Sequence, residues 1–172
     1  ARKARAVKTK SRYHARRAAS EKLLAEILPA EIDDGDAWHV MSSGDIDSLS
    51  FAAHIIQNHV MDYVAFSTWC MSLPDVEAIN AWLVDGQIQR LDAYVGEIFP
   101  GSYPREYSGL CSAVKPCGGR VAVFRNHSKV FLLRSGLRAW VIESSANINT
   151  NPRTENTVIT ADMGLFEHHK RY

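Results

Sequence analysis

The chain has 172 residues, of which 46% are hydrophobic, and its formal net charge is +1. This predicts one globular domain with a single core and a short terminal extension. No apolar stretch approaches the roughly 20 residues of a membrane span, and the basic N-terminus lacks the apolar segment of a signal peptide, so we expect a cytoplasmic protein without a membrane partner.

The first part of the chain is strongly basic. Eight cationic residues precede the first acidic one, Glu21, and leave the remainder net acidic; they are Arg2, Lys3, Arg5, Lys8, Lys10, Arg12, Arg16 and Arg17. Such a run predicts binding to a polyanion, because each cation placed on a phosphate releases condensed counterions. A solubilising tail and a segment that packs on another protein are the alternatives.

Helices and strands alternate through the first two thirds of the chain. Residues 1–12 lack apolar periodicity and predict an irregular arm, whereas residues 15–28 have the spacing of a helix that Pro29 ends. Strands are predicted near 38–42, 63–67 and 88–95, and helices near 47–59, from 73 onward and near 104–114.

The last third has a different pattern, with strands that follow one another closely. They are predicted over 121–125, 129–134, 139–143 and 156–160. Together these elements predict an α/β fold with a mixed central sheet flanked by helices. We divide the chain into a basic arm and helix over 1–30 and an α/β domain over 31–172. No internal repeat is visible.

The cysteines and histidines do not form a metal motif. Cys70, Cys111 and Cys117 lack a short ligand spacing, and their odd number argues against a complete disulfide framework. The pair His168-His169 has no carboxylate or cysteine at zinc spacing beside it. We therefore expect reduced thiols, no metal and no cofactor.

Polar residues gather where the later strands begin or end. His127 and Lys129 lie two positions apart before a strand, so their side chains are expected on the same side. Ser145 and Asn147 follow the next strand, and Glu155 begins the last one. Small polar residues at a strand end suit a pocket for an anion.

This set of side chains fits the chemistry of a phosphodiester. Lys129, Asn147 and Ser145 can hold the non-bridging oxygens, and His127 can act as the nucleophile. An attacking imidazole must be neutral and oriented, which a carboxylate on its other nitrogen favours. Glu155 is the candidate for that support.

The order His-x-Lys, a strand, Ser-x-Asn and a downstream Glu-Asn-x-Val-Ile resembles the phospholipase D superfamily, in particular its short bacterial endonucleases with one motif per chain. The resemblance extends from about Trp38 to Arg171. It implies a phospholipase D-like fold and a metal-independent phosphodiesterase, with nuclease activity preferred and DNA favoured over RNA. In that family two His-Lys motifs meet, so the resemblance also implies a homodimer with a shared site and a phosphohistidine intermediate.

Two positions depart from the family pattern. Arg134 stands where the family has an aspartate, and Ser144 stands where a glycine is usual. We consider Arg134 a possible substrate contact or a surface residue. Its presence keeps an alternative open, which is a non-catalytic nucleic-acid-binding module that positions a larger assembly.

The loop after Asn147 supplies further candidates. Asn149 and Arg153 are predicted to contact the substrate backbone, although a hydrogen-bonded turn is an equally good interpretation. Ser43-Gly44-Asp45, at a strand-to-helix junction, fits a helix cap better than an anion site. Trp69, Trp82 and Trp140 are predicted to belong to the core.

Overall fold

The computed structural model describes residues 12–148 and 153–171, with side chains from residue 15 onward. Within these ranges the helices and strands alternate up to β4, and strands then follow one another to a last helix. In chain order they are α1 Arg12–Ile27, β1 Ala37–Ser42, α2 Ser48–Ile56, β2 Tyr63–Thr68, α3 Leu73–Val84, β3 Leu91–Gly96, α4 Phe99–Ser102, α5 Pro104–Val114, β4 Val121–Phe124, β5 Val130–Ser135, β6 Arg138–Ser144, β7 Glu155–Thr160 and α6 Met163–Arg171.

The predicted order of elements is confirmed, with ends that shift by a few residues. Two helices were not predicted. One is the short α4, which begins at Phe99, and the other is α6, near the end of the chain. Helix α6 fully buries only Phe166 and contains two adjacent histidines, so its sequence has no clear apolar periodicity.

The described strands form one mixed seven-stranded sheet in the order β1-β7-β6-β5-β2-β3-β4. Strands β2, β3 and β4 are parallel, and the other neighbours are antiparallel. Although β4 and β5 are close in sequence, β2 and β3 separate them in the sheet. Residues 125–129 must therefore cross over the ends of β3 and β2.

The main core lies on one face of the sheet, under α2, α3 and α5. Phe66 and Val95 from the sheet pack there with Leu49 of α2 and Ile79 of α3, each at most 1% exposed. Leu24 of α1 belongs to the same core, so the helix of the predicted 1–30 segment packs directly on the domain.

The other face of the sheet carries a smaller cluster. Tyr63, Ala65, Leu132 and Val141 pack there with Phe166 of α6. Within the described ranges, no helix is long and apolar enough to cross a membrane.

Candidate active site

One edge of the sheet collects the predicted catalytic side chains. The carboxyl ends of β2, β3, β4 and β6 meet there with the amino ends of β5 and β7, as the strand directions require. Residues 125–129 cross this edge before β5, and the segment after β6 returns along it. The topology thus brings together residues that are up to 28 positions apart in sequence.

His127 and Lys129 lie side by side in the crossing segment. The ammonium nitrogen of Lys129 is 3.2 Å from Nδ1 of His127 and donates to the carbonyl oxygen of His127 at 2.6 Å. Both residues precede β5, which begins at Val130 rather than at the predicted Lys129. Their predicted placement on the same side is confirmed by this contact.

The ammonium group of Lys129 is partly buried at this edge. Burial lowers the pKa of its ammonium group, while Cys70 and Glu155 act in the opposite direction and raise it.

Ser145 and Glu155 form the next part of the site. The hydroxyl of Ser145 donates to Oε2 of Glu155 and accepts a hydrogen bond from the backbone N–H of Asn156 at 3.0 Å. The carboxylate of Glu155 is therefore held by Ser145 at the start of β7. Its predicted support of the His127 imidazole stays a prediction.

Asn147 is held against the end of β2. Its side-chain oxygen accepts a hydrogen bond from the backbone N–H of Trp69 at 3.3 Å, and the next residue, Ile148, donates to the hydroxyl of Thr68 at 3.1 Å. Because the amide oxygen has this partner, the orientation of the Asn147 amide is set.

Trp69 connects Asn147 to His127. Its indole lies against the imidazole of His127, with ring centroids 5.7 Å apart, and it is half-buried rather than fully in the core. Gly96 makes room for it, because a Cβ at Gly96 would lie 2.4 Å from Cδ1 of Trp69 and 3.2 Å from the carbonyl oxygen of Asn126. The prediction that Trp69 is a core residue missed this contact.

Asn126 and Ser128 hold the crossing segment in place. Asn126 is buried; it donates to the carbonyl oxygen of Tyr94 at 3.0 Å and accepts from the backbone N–H of Ser128 at 3.0 Å. The hydroxyl groups of Ser128 and Ser67 are 2.7 Å apart. The sequence offered no signal for the contacts with Tyr94 and Ser67, because they join the segment to strands that are distant in sequence.

Arg134 lies at the other end of β5. Its guanidinium group pairs with the carboxylate of Asp62 at 3.3 Å. In the sheet Arg134 lies opposite Ala139, near the start of β6, whereas the backbone carbonyl of Lys129 accepts a hydrogen bond from the backbone N–H of Ser144, at the end of β6. Five residues of extended strand correspond to roughly 16 Å. The structure thus does not bring Arg134 to the His127 group.

The other predicted binding residues have different positions. Arg153 is exposed at the start of the segment that leads into β7, and Asn149 lies outside the described residues. Arg16 donates to the carbonyl oxygen of Gly44.

Arg17, predicted to bind nucleic acid, instead bridges the buried carboxylates of Asp47 and Asp75 and is only 15% exposed. Burial of an arginine between two carboxylates explains why it is not part of a free cationic surface.

The rest of the basic arm also lies outside what the structure describes. This holds for Arg2, Lys3, Arg5, Lys8, Lys10 and the side chain of Arg12. Among the described residues, no group of three histidine, cysteine or acidic side chains could hold a metal ion.

Comparison with known proteins gives a fold but no sequence relative. No protein-family model matches the chain. No curated protein matches it in sequence either.

Solved structures do resemble it. Polyphosphate kinase from Porphyromonas gingivalis matches with a TM-score of 0.59 and 12% identity, over 79% of this chain and 25% of the kinase. TrmBL2, described as an archaeal chromatin protein with a novel mode of DNA binding, matches with a TM-score of 0.55 and 14% identity, over 94% of this chain and 60% of TrmBL2. A variant of yeast tyrosyl-DNA phosphodiesterase 1 matches more weakly, with a TM-score of 0.45 and 7% identity, over 72% of this chain and 32% of the yeast protein.

The chain thus corresponds to only part of each protein that it resembles. At these identities the likeness concerns the fold alone. The seven-stranded mixed sheet flanked by helices is a phospholipase D-like fold, as the sequence predicted.

Proposed function

We propose that this chain is a metal-independent phosphodiesterase, in particular a nuclease, whose site is completed by a second copy of the chain. One observation carries the proposal: the imidazole of His127 and the ammonium group of Lys129 lie 3.2 Å apart at the same sheet edge as Ser145, Asn147 and Glu155. A nucleophile, a cation and hydrogen-bond donors are what transfer of a phosphoryl group requires.

Each residue has a role that matches its contacts. Lys129 and the amide NH₂ of Asn147 hold the non-bridging oxygens of the phosphodiester, and the hydroxyl of Ser145 completes that set when it leaves Glu155. Burial lowers the pKa of the Lys129 ammonium group, and the carboxylate of Glu155 acts in the opposite direction, which favours the charged form. Arg153 and Asn149 are secondary contacts to the substrate backbone.

The reaction has two steps. The neutral imidazole of His127 attacks phosphorus, an N–P bond forms and the P–O bond to the leaving group breaks. The imidazolium of the second copy's His127 donates its proton to the leaving oxygen. That same imidazole then takes a proton from water, the water oxygen attacks phosphorus, and the N–P bond breaks to restore the first His127.

The contact between Lys129 and His127 adds a requirement. An ammonium group has donors and no acceptor, so at 3.2 Å it donates to Nδ1, and a neutral His127 must then carry its proton on Nε2. Neither nitrogen has a free lone pair in this arrangement. Attack therefore requires Lys129 to move onto the phosphate, which frees Nδ1 to take the proton and leaves Nε2 as the nucleophile.

Nucleic acid, and DNA before RNA, is the proposed substrate because of the basic arm. Five cations lie among residues 1–11 and can contact phosphates along a strand. TrmBL2, which has a similar fold, is described as a DNA-binding chromatin protein. A cytoplasmic location and the absence of a membrane partner are part of the same proposal.

A second candidate is a non-catalytic nucleic-acid-binding module that positions a larger assembly. The observation in its favour is Arg134, which replaces the aspartate of the family pattern and pairs with Asp62. The phosphate-binding groups would be the same in both candidates, so only cleavage separates them.

The test is cleavage in chelator. We expect the chain to cleave labelled DNA in excess chelator, and denaturing gels of trapped reactions to show a phosphorylated protein. His127→Ala should abolish both cleavage and labelling while it leaves DNA binding within about threefold. His39→Ala, at an exposed histidine on β1, is the matched control and should retain full activity.

Three results decide between the candidates. Loss of cleavage in chelator with recovery in magnesium overturns the metal-independent mechanism. Unchanged cleavage by His127→Ala overturns the assigned nucleophile. If DNA or RNA is bound but neither these nor a generic phosphodiester is cleaved, the binding module replaces the enzyme; if nucleic acid is not bound at all, both candidates are overturned.

A further inference from the structure

Two loops bracket the candidate active site at its edge of the sheet. The β1–α2 loop, residues 43–47, follows the strand that pairs with the start of β7, where Glu155 lies. The β2–α3 loop, residues 69–72, begins with Trp69, whose indole contacts the imidazole of His127. The relative position of these two loops therefore bears on two parts of the site at once.

Helix α1 is bound to both sides of this bracket. The guanidinium group of Arg17 pairs with Asp47, at the end of the β1–α2 loop, at 3.3 Å, and with Asp75, in the first turn of α3. The side chains of both acids are at most 1% exposed. One turn further along α1, the hydroxyl of Ser20 accepts from the backbone N–H of Asp47 and donates to the carbonyl oxygen of Asp45, each at 3.0 Å. Several contacts thus hold α1 on the β1–α2 loop, and Arg17 extends the connection to α3.

Asp75 is in turn bound to the β2–α3 loop. Its carboxylate accepts hydrogen bonds from the hydroxyl of Ser72 and, at 3.2 Å, from the backbone N–H of Ser72. Its own backbone N–H donates to the carbonyl oxygen of Ser72 at 3.1 Å. Between Ser72 and Trp69 lie Cys70 and Met71, which are only 4% and 1% exposed. Because buried side chains are closely packed, a shift of Ser72 displaces Trp69 as well.

The charges at this junction make its geometry depend on Arg17. Asp47 and Asp75 contact the same guanidinium nitrogen, so without Arg17 two buried carboxylates would face each other. Like charges repel strongly where water is excluded, and a buried charge that loses its partner is costly. We therefore expect loss of Arg17 to separate the amino ends of α2 and α3.

We propose that Arg17 is a positioning residue for the candidate active site. It holds the β1–α2 loop and the β2–α3 loop at a fixed spacing, and it thereby sets the contact between Trp69 and His127. This role differs from the predicted binding of Arg17 to nucleic acid. Its effect on catalysis rests on the proposed function, whereas its effect on the His127 imidazole can be measured without cleavage.

The alternative is an ion pair that only stabilises the fold, and two variants separate the two roles. Arg17→Met leaves both carboxylates unpaired and should lower stability as well as activity. The triple variant Arg17→Met, Asp47→Asn, Asp75→Asn removes the charges and keeps side chains that can cap both helices. We expect the triple variant to regain most of the stability in urea unfolding, although it lacks the connection between the loops.

Cleavage of a small generic phosphodiester is the first readout, because such a substrate does not extend along the basic arm. We expect kcat of the triple variant to be about tenfold lower than that of the wild type, a larger change than in KM. Lys22→Met, at an exposed cation on α1, is the matched control and should keep the wild-type kcat. Recovery of kcat together with stability in the triple variant overturns the positioning role.

The proton resonances of the His127 imidazole are the second readout, since a neighbouring indole ring shifts them. Assigned with His127→Ala and measured near pH 8, where an imidazole is mostly neutral, they should move in the triple variant in the same direction as in Trp69→Ala. Lys22→Met should leave them in place. Unchanged resonances in the triple variant overturn the inference even if the chain is a nuclease. Shifted resonances in a chain that cleaves no phosphodiester support the role of Arg17 in placing His127 and contradict the nuclease.

Discussion

The indole of Trp69 lies against the imidazole of His127, with ring centroids 5.7 Å and planes 57° apart. Through its backbone N–H the same residue binds the side-chain oxygen of Asn147. Trp69 thus fixes two members of the candidate site at once, although it follows a strand that is far from both in sequence.

Trp69 should act as a positioning residue for His127. We expect Trp69→Ala to lower kcat for DNA cleavage by about tenfold to a hundredfold, because a displacement of about 1 Å in a reacting group has effects of that size. Trp69→Phe keeps a ring and should recover most of the rate. Steady-state kinetics with both variants is the measurement, and an unchanged kcat in Trp69→Ala contradicts the role.

Gly96→Ala should disturb the same contact from the other side. The added methyl group would lie 2.4 Å from Cδ1 of Trp69, so the indole and the crossing segment must shift. We expect a loss of about 1–3 kcal/mol in the free energy of unfolding, measured in urea, together with slower cleavage. Gly101→Ala is the control, since a methyl group there meets nothing within 4 Å.

The ion pair between Arg134 and Asp62 should be structural. Arg134→Asp places two carboxylates together and should destabilise the fold by up to about 1 kcal/mol, a modest value because both side chains are about one-third exposed. The double variant Arg134→Asp with Asp62→Arg should recover stability. DNA affinity should change by less than about twofold in both variants. A tenfold loss in Arg134→Asp that the double variant does not recover would show that Arg134 contacts the substrate.

Asp75 should make stability depend on pH. Burial and the neighbouring carboxylate of Asp47 raise the pKa of Asp75 from 3.8 to about 6, although Ser72 and Arg17 act to lower it. A raised folded-state pKa means that the folded protein binds a proton that the unfolded chain releases. The resulting stability is fully present below about pH 3.8 and is lost as pH rises through about 6.

Urea unfolding between pH 4 and pH 7 measures this effect. We expect Asp75→Asn to remove most of the decrease in stability over that range, since the amide has no proton to lose. Glu77→Gln, at an exposed carboxylate on the same helix, is the control and should keep the wild-type slope. An identical slope in Asp75→Asn would assign the pH dependence to another group.

The basic arm should contribute affinity without sequence preference. Removal of residues 1–11 deletes five cations and should reduce the slope of log affinity against log salt by up to about 4.5 for duplex DNA. Cleavage of a small generic phosphodiester should be unchanged. Fluorescence anisotropy over a salt series checks this; an unchanged slope means that the arm does not contact phosphates.

Local sequence was sufficient for most of the fold. The apolar periodicity predicted every strand and each long helix except α6, because those patterns depend on neighbours within a few residues. The motif residues His127 and Lys129 could also be found in the sequence, through the order of polar side chains that resembles the phospholipase D superfamily. The missed α6 has a mixed face with four basic or histidine residues in its last turn, which gave no clear apolar pattern.

The sequence by itself determined the mixed α/β composition, the basic arm and the types of side chain available for phosphodiester chemistry. Only the tertiary structure decided that β4 and β5 are separated by β2 and β3, so that His127 crosses the sheet edge next to Trp69 and Gly96. It also placed Arg134 in an ion pair at the far end of β5 and Arg17 between two buried carboxylates. Strand order and charge pairing depend on contacts between segments distant in sequence, and no local pattern encodes those contacts.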